Sequence, residues 1–461
     1  MSLKTSLNFR QAAGSTLGVR RAARRSGSVL VIVLWICIGL VTIALYFANS
    51  MTYELRAADN RVSGIAADQA IEGAARYVSY ELQNYSTNGL SQLPDSIAFP
   101  CENVPVGDAH FWLIGRDPAG ASSAEPYFGL VDEASKLNLN YANTNVLAYL
   151  PNLTLDFAQA IQDWRGTNGT SSLDYASAGY YEKNAGFETE DELRLVYGAD
   201  MSLLAGDDVN RNGVLDAGEK DTTGSGQVNP GLFEYTTVYT REPNFRFDGA
   251  TLTNLTDINT ARRSQLIALL AAANIGSSYY QTLTNARPYA GLLALAVRCR
   301  RAGMSDSDFY NLSTNLTTTT NTYIRGRVNV NTASETVLTA LLEGLNNGDE
   351  TTAESDAQTL VTYREQNTNN LGSLAWVYDA LGTGNSSLKI LEGGDYLTTH
   401  SYQFTADIAA VGAYGRGYRR VKFIFDVSDG TPKILYRQDL SRLGWALGEK
   451  ARPNLLANNS P

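Results

Sequence analysis

Residues 29–48 read VLVIVLWICIGLVTIALYFA and contain no charged side chain. A helix of this length is about 30 Å long, which matches the hydrocarbon core of a bilayer. Residues 1–27 before it carry six basic side chains and no acidic one. Because basic flanking segments stay in the cytoplasm, we expect a single membrane span with the bulk of the chain on the opposite side.

Apolar residues continue at helical spacing beyond this span. They recur three or four residues apart at Leu55, Ala58, Val62 and Ile65, and again at Ile71, Ala74 and Val78. A secretory signal would have a shorter apolar stretch, followed by a cleavage site with small residues. We therefore predict one helix from about Val29 to Gln83, which spans the membrane in its first half and is amphipathic in its second.

The composition excludes several classes of protein. The chain has 461 residues, 44% of them apolar, and a net charge of −10. The apolar share is that of a folded protein, and the acidic balance argues against a protein that coats nucleic acid. The only histidines are His110 and His400, and there is no CxxC pair. A multi-histidine or paired-cysteine zinc site is therefore not expected.

Three segments share one sequence signature. They read LNLNYANTNVLAYL (137–150), DINTARRSQLIAL (257–269) and VNVNTASETVLTAL (328–341). Aligned on Asn140, Asn259 and Asn331, each copy has Ala two residues later, and Leu five and eight residues after that Ala. We expect the Asn, or the residue after it, to cap an amphipathic helix whose two Leu side chains are buried.

Residues 208–219 read DVNRNGVLDAGE, which fits the calcium-loop pattern D-x-[DN]-x-[DN]-G-x₅-E. The pattern predicts a structural calcium ion with ligands from Asp208, Asn210, Asn212, Val214, Asp216 and Glu219. Gly213 is expected to make the sharp turn. No clear exiting helix follows, so we predict a loop of the EF-hand type and not a paired EF-hand. The alternative is a solvated acidic turn.

The C-terminal part and two earlier segments alternate between apolar and polar residues. Alternation runs through residues 400–440, and strand-like stretches occur at 110–115 and 127–131. These segments predict a small antiparallel sheet that packs on the lower part of the long helix. The helical region between them would then be an insertion. Cys101 and Cys299 are candidates for a disulfide outside the cytoplasm, with no geometry to decide the pairing.

The sequence RRSG (24–27), followed at once by Ser28 and the apolar span, resembles a type IV pilin leader. The resemblance implies that a prepilin peptidase cuts after Gly27 and that the new N-terminus at Ser28 is methylated. The family usually has Glu at the fifth mature residue, and this chain has Ile32 there. The minor pseudopilin K family of type II secretion characteristically lacks that Glu. The alternative is a plain signal anchor with an accidental RRSG.

The helical copies extend the resemblance to this family. The N-x-N-T-A opening, with the endings IQDWR (161–165) and LVTYR (360–364), is similar to its SAM-like, helix-hairpin-helix domains. DNA-binding proteins share the opening, so a membrane-anchored DNA-binding protein of a DNA-uptake or type IV pilus machine is the alternative. No Gly-[Ile/Val]-Gly hairpin follows any copy and the surroundings are acidic, so we expect no nucleic acid partner.

The resemblance implies an α+β fold with a pilin-like head and no catalytic activity. The chain would lie in the inner membrane with its C-terminal bulk in the periplasm. It would cap the tip of a type II secretion pseudopilus, with the other minor pseudopilins as partners. The expected parts are a leader (1–27), a transmembrane and stem helix (28–85), a pilin-like part (86–130), a first helical lobe (131–250), a second helical lobe (251–398), C-terminal strands (399–445) and a tail (446–461).

Overall fold

The computed structural model describes residues 26–85, 88–94, 98–117, 125–166, 173, 175–248 and 251–458. Residues 1–25 of the predicted leader lie outside the described residues. The chain divides into two compact units, residues 1–61 and 62–461. The described chain forms an α+β fold with one long N-terminal apolar helix and a small antiparallel sheet, as the sequence predicts.

The long helix α1 (Ser26–Tyr85) confirms the predicted continuous helix. It is the one helix in the described ranges that is long and apolar enough to cross a membrane. In its last third, Ile71, Ala74 and Val78 are at most 1% exposed. By contrast, Val62 and Ile65 are more than half exposed, whereas Ser63 and Gly64 are buried, so the buried face begins at Ser63 and does not include these two predicted positions.

Shorter helices make up most of the middle of the chain. They are α2 (Thr144–Ala148), α3 (Leu155–Arg165), α4 (Met201–Leu204), α5 (Leu232–Tyr235), α6 (Arg263–Ala272), α7 (Tyr279–Thr284), α8 (Leu292–Arg301), α9 (Asp306–Ser313), α10 (Glu335–Leu345), α11 (Glu350–Gln366), α12 (Ala375–Leu381) and α13 (Ser386–Leu391), with α14 (Ala451–Asn458) near the C-terminus.

The strands fall into one main sheet and several two-stranded pairs. They are β1 (Val104–Val106), β2 (Ala109–Ile114), β3 (Val131–Asp132), β4 (Leu137–Asn138), β5 (Thr236–Thr237), β6 (Arg241–Pro243), β7 (Phe245–Asp248), β8 (Thr251–Asn254), β9 (Thr256–Asp257), β10 (Leu316–Thr317), β11 (Tyr323–Arg325), β12 (Val328–Asn329), β13 (Leu397–Thr398), β14 (Gln403–Gly412), β15 (Arg416–Asp426) and β16 (Lys433–Asp439).

The main sheet has the strand order β1-β2-β14-β15-β16, and β3 also pairs with β14. These pairings are antiparallel, and they set Ile408 opposite both Leu113 and Val421. Strands from before and after the helical region therefore meet side by side. This confirms the predicted antiparallel sheet, and α2 to α13 lie between its strands β2 and β14 in the sequence.

Alternation along the strands gives the sheet two buried faces. Phe111 and Phe404 belong to the core that includes Ile71 and Val78 of α1. Trp112 faces the other way and packs in a smaller core with residues of the C-terminal segment. The helical region has its own contiguous core, drawn from residues 137–397. Both predicted helical lobes contribute to that core, and the boundary between them stays a prediction.

The three copies of the signature share one local structure. Each begins with a two-residue strand, and the parallel partners are β4 with β5, β9 with β10 and β12 with β13. In each copy the aligned Asn side chain then bonds backbone farther along the chain. Asn140, for example, accepts from the Phe187 N–H at 2.6 Å, and Asn259 accepts from the Tyr289 N–H at 2.7 Å. The three copies are therefore similar in structure as well as in sequence.

The predicted helix caps are wrong by two or three residues. The N-caps are Asn143, Arg262 and Ser334. The aligned Asn side chains are not available as caps, because their amides hold the distant segments described above. The Leu pairs are buried as predicted in the first and third copies. In the second copy Leu266 is buried, whereas Leu269 is only partly buried.

In each copy an arginine farther along the chain donates hydrogen bonds to backbone carbonyls of the signature segment. Nη1 of Arg364 donates to the carbonyls of Val330 at 2.9 Å and Ala333 at 2.6 Å. Arg165 makes the equivalent pair of bonds in the first copy, at 2.6 and 3.1 Å. Arg287 makes one such bond in the second, to the Ala261 carbonyl at 3.1 Å. The sequence pattern indicates the first two arginines but not Arg287, which does not end an IxxWR-type segment.

Candidate metal centre

The predicted calcium loop lies between α4 and α5 and is bent as the motif requires. Gly213 has a φ of 84°, in the left-handed region that favours glycine. Residues 205–231 are all described and contain no helix, in agreement with the expectation that no exiting helix follows. Asp208, Asn210 and Asn212 are each less than 10% exposed, so the first half of the loop is buried.

Backbone N–H groups in the first half of the loop donate hydrogen bonds to the Asp208 carboxylate. Its two oxygens accept from the backbone N–H groups of Asn212 at 2.9 Å and Gly213 at 2.8 Å. The Asn210 side-chain oxygen also accepts from the Asn212 N–H, at 3.0 Å. These side chains therefore point into the same turn, as a calcium loop needs.

The second half of the loop closes onto the first. Both Asn210 and Asn212 donate their side-chain amides to one oxygen of Asp216. The Glu219 carboxylate accepts from the backbone N–H groups of Asn210 and Asp216, each at 3.1 Å. Hydrogen bonds therefore link the side chains of all five predicted ligands to the loop backbone or to one another. The sixth predicted ligand is the carbonyl of Val214, whose N–H donates to the Asn212 side-chain oxygen at 3.0 Å.

The donor types fit calcium, which takes six to eight hard oxygens from carboxylates, amides and carbonyls. However, no group of three or more His, Cys, Asp or Glu side chains in the described ranges is arranged to hold a metal ion. The NH₂ groups of Asn210 and Asn212 face Asp216. Rotating an amide by a half-turn exchanges its nitrogen and oxygen and would present oxygens instead. Calcium binding stays a prediction of the motif.

Charged side chains that are partly or fully buried lie around Asp208. Removal of water raises its pKa to about 6, although Arg116, at 3.8 Å, acts in the opposite direction. Arg116 also donates to Glu234 at 2.7 Å. A cavity of about 60 Å³ lies beside Asp208 and is lined by further charged groups, among them Glu190 and Lys422. An anionic Asp208 in this setting is short of water, and a bound cation would stabilise it.

Arg420 holds the loop to the sheet, and no local sequence pattern indicates this role. Arg420 is fully buried, and it donates to both oxygens of Asp407 at 2.9 and 2.6 Å. The same guanidinium donates to the backbone carbonyls of Asn210 and Arg211. On this face the loop also meets the C-terminal segment, where the Asn210 amide donates to the Trp445 carbonyl at 3.1 Å. The loop therefore joins the helical region to the outer face of the sheet.

Two buried acids, Asp132 and Glu133, form a second junction that no sequence motif indicates. Asp132 accepts from the amide of Asn329, in the third helical copy, at 3.0 Å and from the Ser401 hydroxyl. Burial raises the pKa of Asp132 despite these bonds. Burial would also raise the pKa of neighbouring Glu133, but the charges of Lys136 and Lys422 and its hydrogen bonds lower it overall. Glu133 is therefore ionised inside the fold.

The remaining predicted site residues lie apart from the loop. Gly27 and Ser28 lie in the first turn of α1, where the predicted processing site stays a prediction. Cys101 and Cys299 do not form a disulfide, since both are buried free thiols. Cys101 packs in the core between α1 and the sheet, whereas Cys299 lies on α8 in the helical core. The predicted disulfide is wrong because the sequence spacing of two cysteines does not indicate which hydrophobic core each thiol enters.

No family model, no curated protein and no solved structure matches this chain.

Proposed function

We propose that this protein is a membrane-anchored minor pseudopilin of the K type, which caps the tip of a short periplasmic pseudopilus of a type II secretion system. The observation that carries the proposal is the combination of two features in one chain. One is a 20-residue apolar span that continues as an uninterrupted helix to Tyr85. The other is a large helical region inserted between β2 and β14 of the sheet that packs on that helix.

The insertion supplies a physical reason for capping. An open filament grows because each subunit offers one surface to the subunit below and another to the subunit above. The helical region inserted between β2 and β14 would obstruct the second surface, so growth would stop at this subunit. The position of Ile32 agrees with this role. A carboxylate buried in a membrane requires a partner of opposite charge. At the tip of the filament no neighbouring subunit lies above to supply that partner, so an apolar residue at position 32 is favoured over Glu.

Mass spectrometry of the mature N-terminus tests the class of protein. In cells that contain a prepilin peptidase, we expect the purified chain to start at an N-methylated Ser28. The variant Gly27→Val should keep its leader, because the peptidase cuts after this glycine. Gly14→Val, a matched change in the same leader, should still be processed. An intact leader on the unmodified chain would remove the protein from the pilin class.

The position of the chain within filaments tests the capping role. We expect a label on the head to mark one end of each pseudopilus and no position along its length. Overproduction should give shorter filaments, since each added cap ends one filament. Labels distributed along the filament shaft would contradict the proposed role, even if processing at Ser28 were found.

A further inference from the structure

A cavity of about 710 Å³ lies between α10, α11 and the segment around β3. Its wall combines apolar side chains, among them Val337, Val361 and Tyr235, with charged ones. Glu335 and Glu350 on this wall are exposed, so the cavity is open to solvent. A concave wall of mixed character suits a ligand that carries both charge and hydrocarbon.

The acids on this wall outnumber the bases. Seven acidic and three basic side chains line the cavity. All three bases are already engaged. Arg116 donates to Glu234 at 2.7 Å. Lys136 pairs with Glu133 at 3.4 Å, and Arg364 donates to backbone carbonyls. The wall therefore keeps an excess of negative charge.

Glu343, on α10, is the acid that most clearly lacks a counter-charge. It is 9% exposed, and it makes no hydrogen bond or ion pair with the described residues. Neither of its oxygens is sealed from solvent, so the carboxylate is accessible from the cavity. Burial raises the pKa of Glu343, and the negative charge of Glu350 raises it further. A cation in the cavity would therefore stabilise the ionised carboxylate.

The glutamates of this wall are spread along two helices. On α10, Glu335 and Glu343 are eight residues apart, or about 12 Å along the helix axis. On α11, Glu350 and Glu354 lie about one turn apart. Within the described ranges, no three His, Cys, Asp or Glu side chains are grouped to hold a metal ion. Separated carboxylates suit a ligand with several cationic groups at intervals better than a single metal ion.

We propose that this cavity binds a linear organic polyamine. Ammonium groups of the ligand pair with Glu343 and Glu335, and the methylene groups between them lie against the apolar part of the wall. Glu350 and Glu354 add to the negative potential that attracts the ligand. The proposal does not depend on the protein being a pseudopilin, because it rests on the cavity and its charges.

Three probes test the class of ligand by calorimetric titration of the full chain in nonionic detergent, with calcium held constant. They are spermidine, which is a linear triamine, butylamine, which has a single ammonium group, and Mg²⁺. Titration at physiological salt, where the Debye length is about 8 Å, weakens general attraction to an acidic chain. We expect spermidine to bind at least about tenfold more tightly than either other probe, because it alone reaches separated acids at once. Equal binding of spermidine and Mg²⁺, or no binding of spermidine, would overturn the proposal.

A matched pair of variants tests the location. Glu343→Gln removes the nearly buried charge and should weaken spermidine binding by at least about fivefold. Glu365→Gln removes an exposed charge of α11 that is not on the cavity wall, and it should leave binding unchanged. Equal effects of the two variants would place spermidine elsewhere and refute the site.

A third variant guards against a folding defect. Because Glu343 has no partner among the described residues, Glu343→Gln should melt no lower than the unmodified chain. Glu335→Gln changes an exposed acid on the same wall, so it removes a second predicted contact without altering a buried position. It should also weaken spermidine binding, and unchanged binding in both wall variants would contradict the proposal.

Discussion

Arg420, on strand β15, donates to the backbone carbonyl of Arg211 at 2.8 Å, in the middle of the predicted calcium loop. The same guanidinium holds Asp407 on the neighbouring strand β14. A side chain of the sheet therefore bonds the backbone of a loop that belongs to the helical region. Because Arg420 is fully buried, its bonds are shielded from water.

Loss of this fastening should destabilise the protein strongly. Arg420→Met leaves Asp407 as a buried charge without its partner, and we expect a loss of about 3 to 5 kcal/mol in the free energy of unfolding. Arg419→Met is the control, since Arg419 is 42% exposed and pairs with Asp68 near the surface. It should cost less than about 1 kcal/mol. Chemical unfolding of the full chain in detergent measures both, and similar costs would show that the fastening is unimportant.

Calcium should stabilise the protein through the loop at residues 208–219. Free calcium at about a thousand times its Kd would add about 4 kcal/mol to the free energy of unfolding. We therefore expect a chelator to lower the melting temperature of the unmodified chain. Asp208→Asn and Glu219→Gln should abolish this response, because each removes one charged ligand. Asp156→Asn, an exposed change in the first turn of α3, should preserve it. If the chelator leaves the melting temperature unchanged, this loop does not bind calcium.

The elements that sequence reasoning predicts correctly are those with a local signal. The apolar span and its continuation give α1, alternation gives β14 to β16, and the spacing of oxygens and Gly213 gives the loop. The failures depend on contacts between distant segments. Nothing in the sequence around Arg420 indicates that it reaches Arg211, because both belong to segments that meet only after the insertion folds. The helix caps failed for the same reason, since the aligned Asn side chains bond backbone that lies far along the chain.

The arginines that close the three helical copies should differ in importance according to their bonds. Arg364 is 5% exposed and donates to two carbonyls, so Arg364→Met should cost about 2 to 4 kcal/mol. Arg165→Met should cost less, because Arg165 is less buried. Arg287→Met should cost least, because Arg287 makes a single such bond. Chemical unfolding measures the order, with Arg298→Met, an exposed change on α8, as the control.

A reversed order would show that the repeated bond does not stabilise the copies. In that case the burial of the Leu pairs would be the main contribution of the signature. Equal costs for all four variants, including Arg298→Met, would indicate a general effect of removing positive charge from an acidic chain.

Glu242 should make stability fall as the pH rises towards neutrality. Removal of water raises its pKa from 4.5 to about 7, although Arg327 acts in the opposite direction. The folded state therefore keeps a proton that the unfolded state loses near pH 4.5. The stabilisation of the folded state by this proton is complete below pH 4.5, and it is lost as the pH rises to about 7. The loss amounts to about 3 kcal/mol.

The variant Glu242→Gln isolates this contribution. Gln cannot ionise and can still accept from the Thr398 hydroxyl, which lies 3.1 Å from the Glu242 carboxylate. We expect the free energy of unfolding of this variant to fall less than that of the unmodified chain between pH 5 and pH 7. Glu335→Gln changes an exposed acid at the start of α10 and should reproduce the unmodified pH profile. If Glu242→Gln shows the same slope as the unmodified chain, Glu242 is ionised throughout this range, and the charge of Arg327 outweighs the loss of water around the carboxylate.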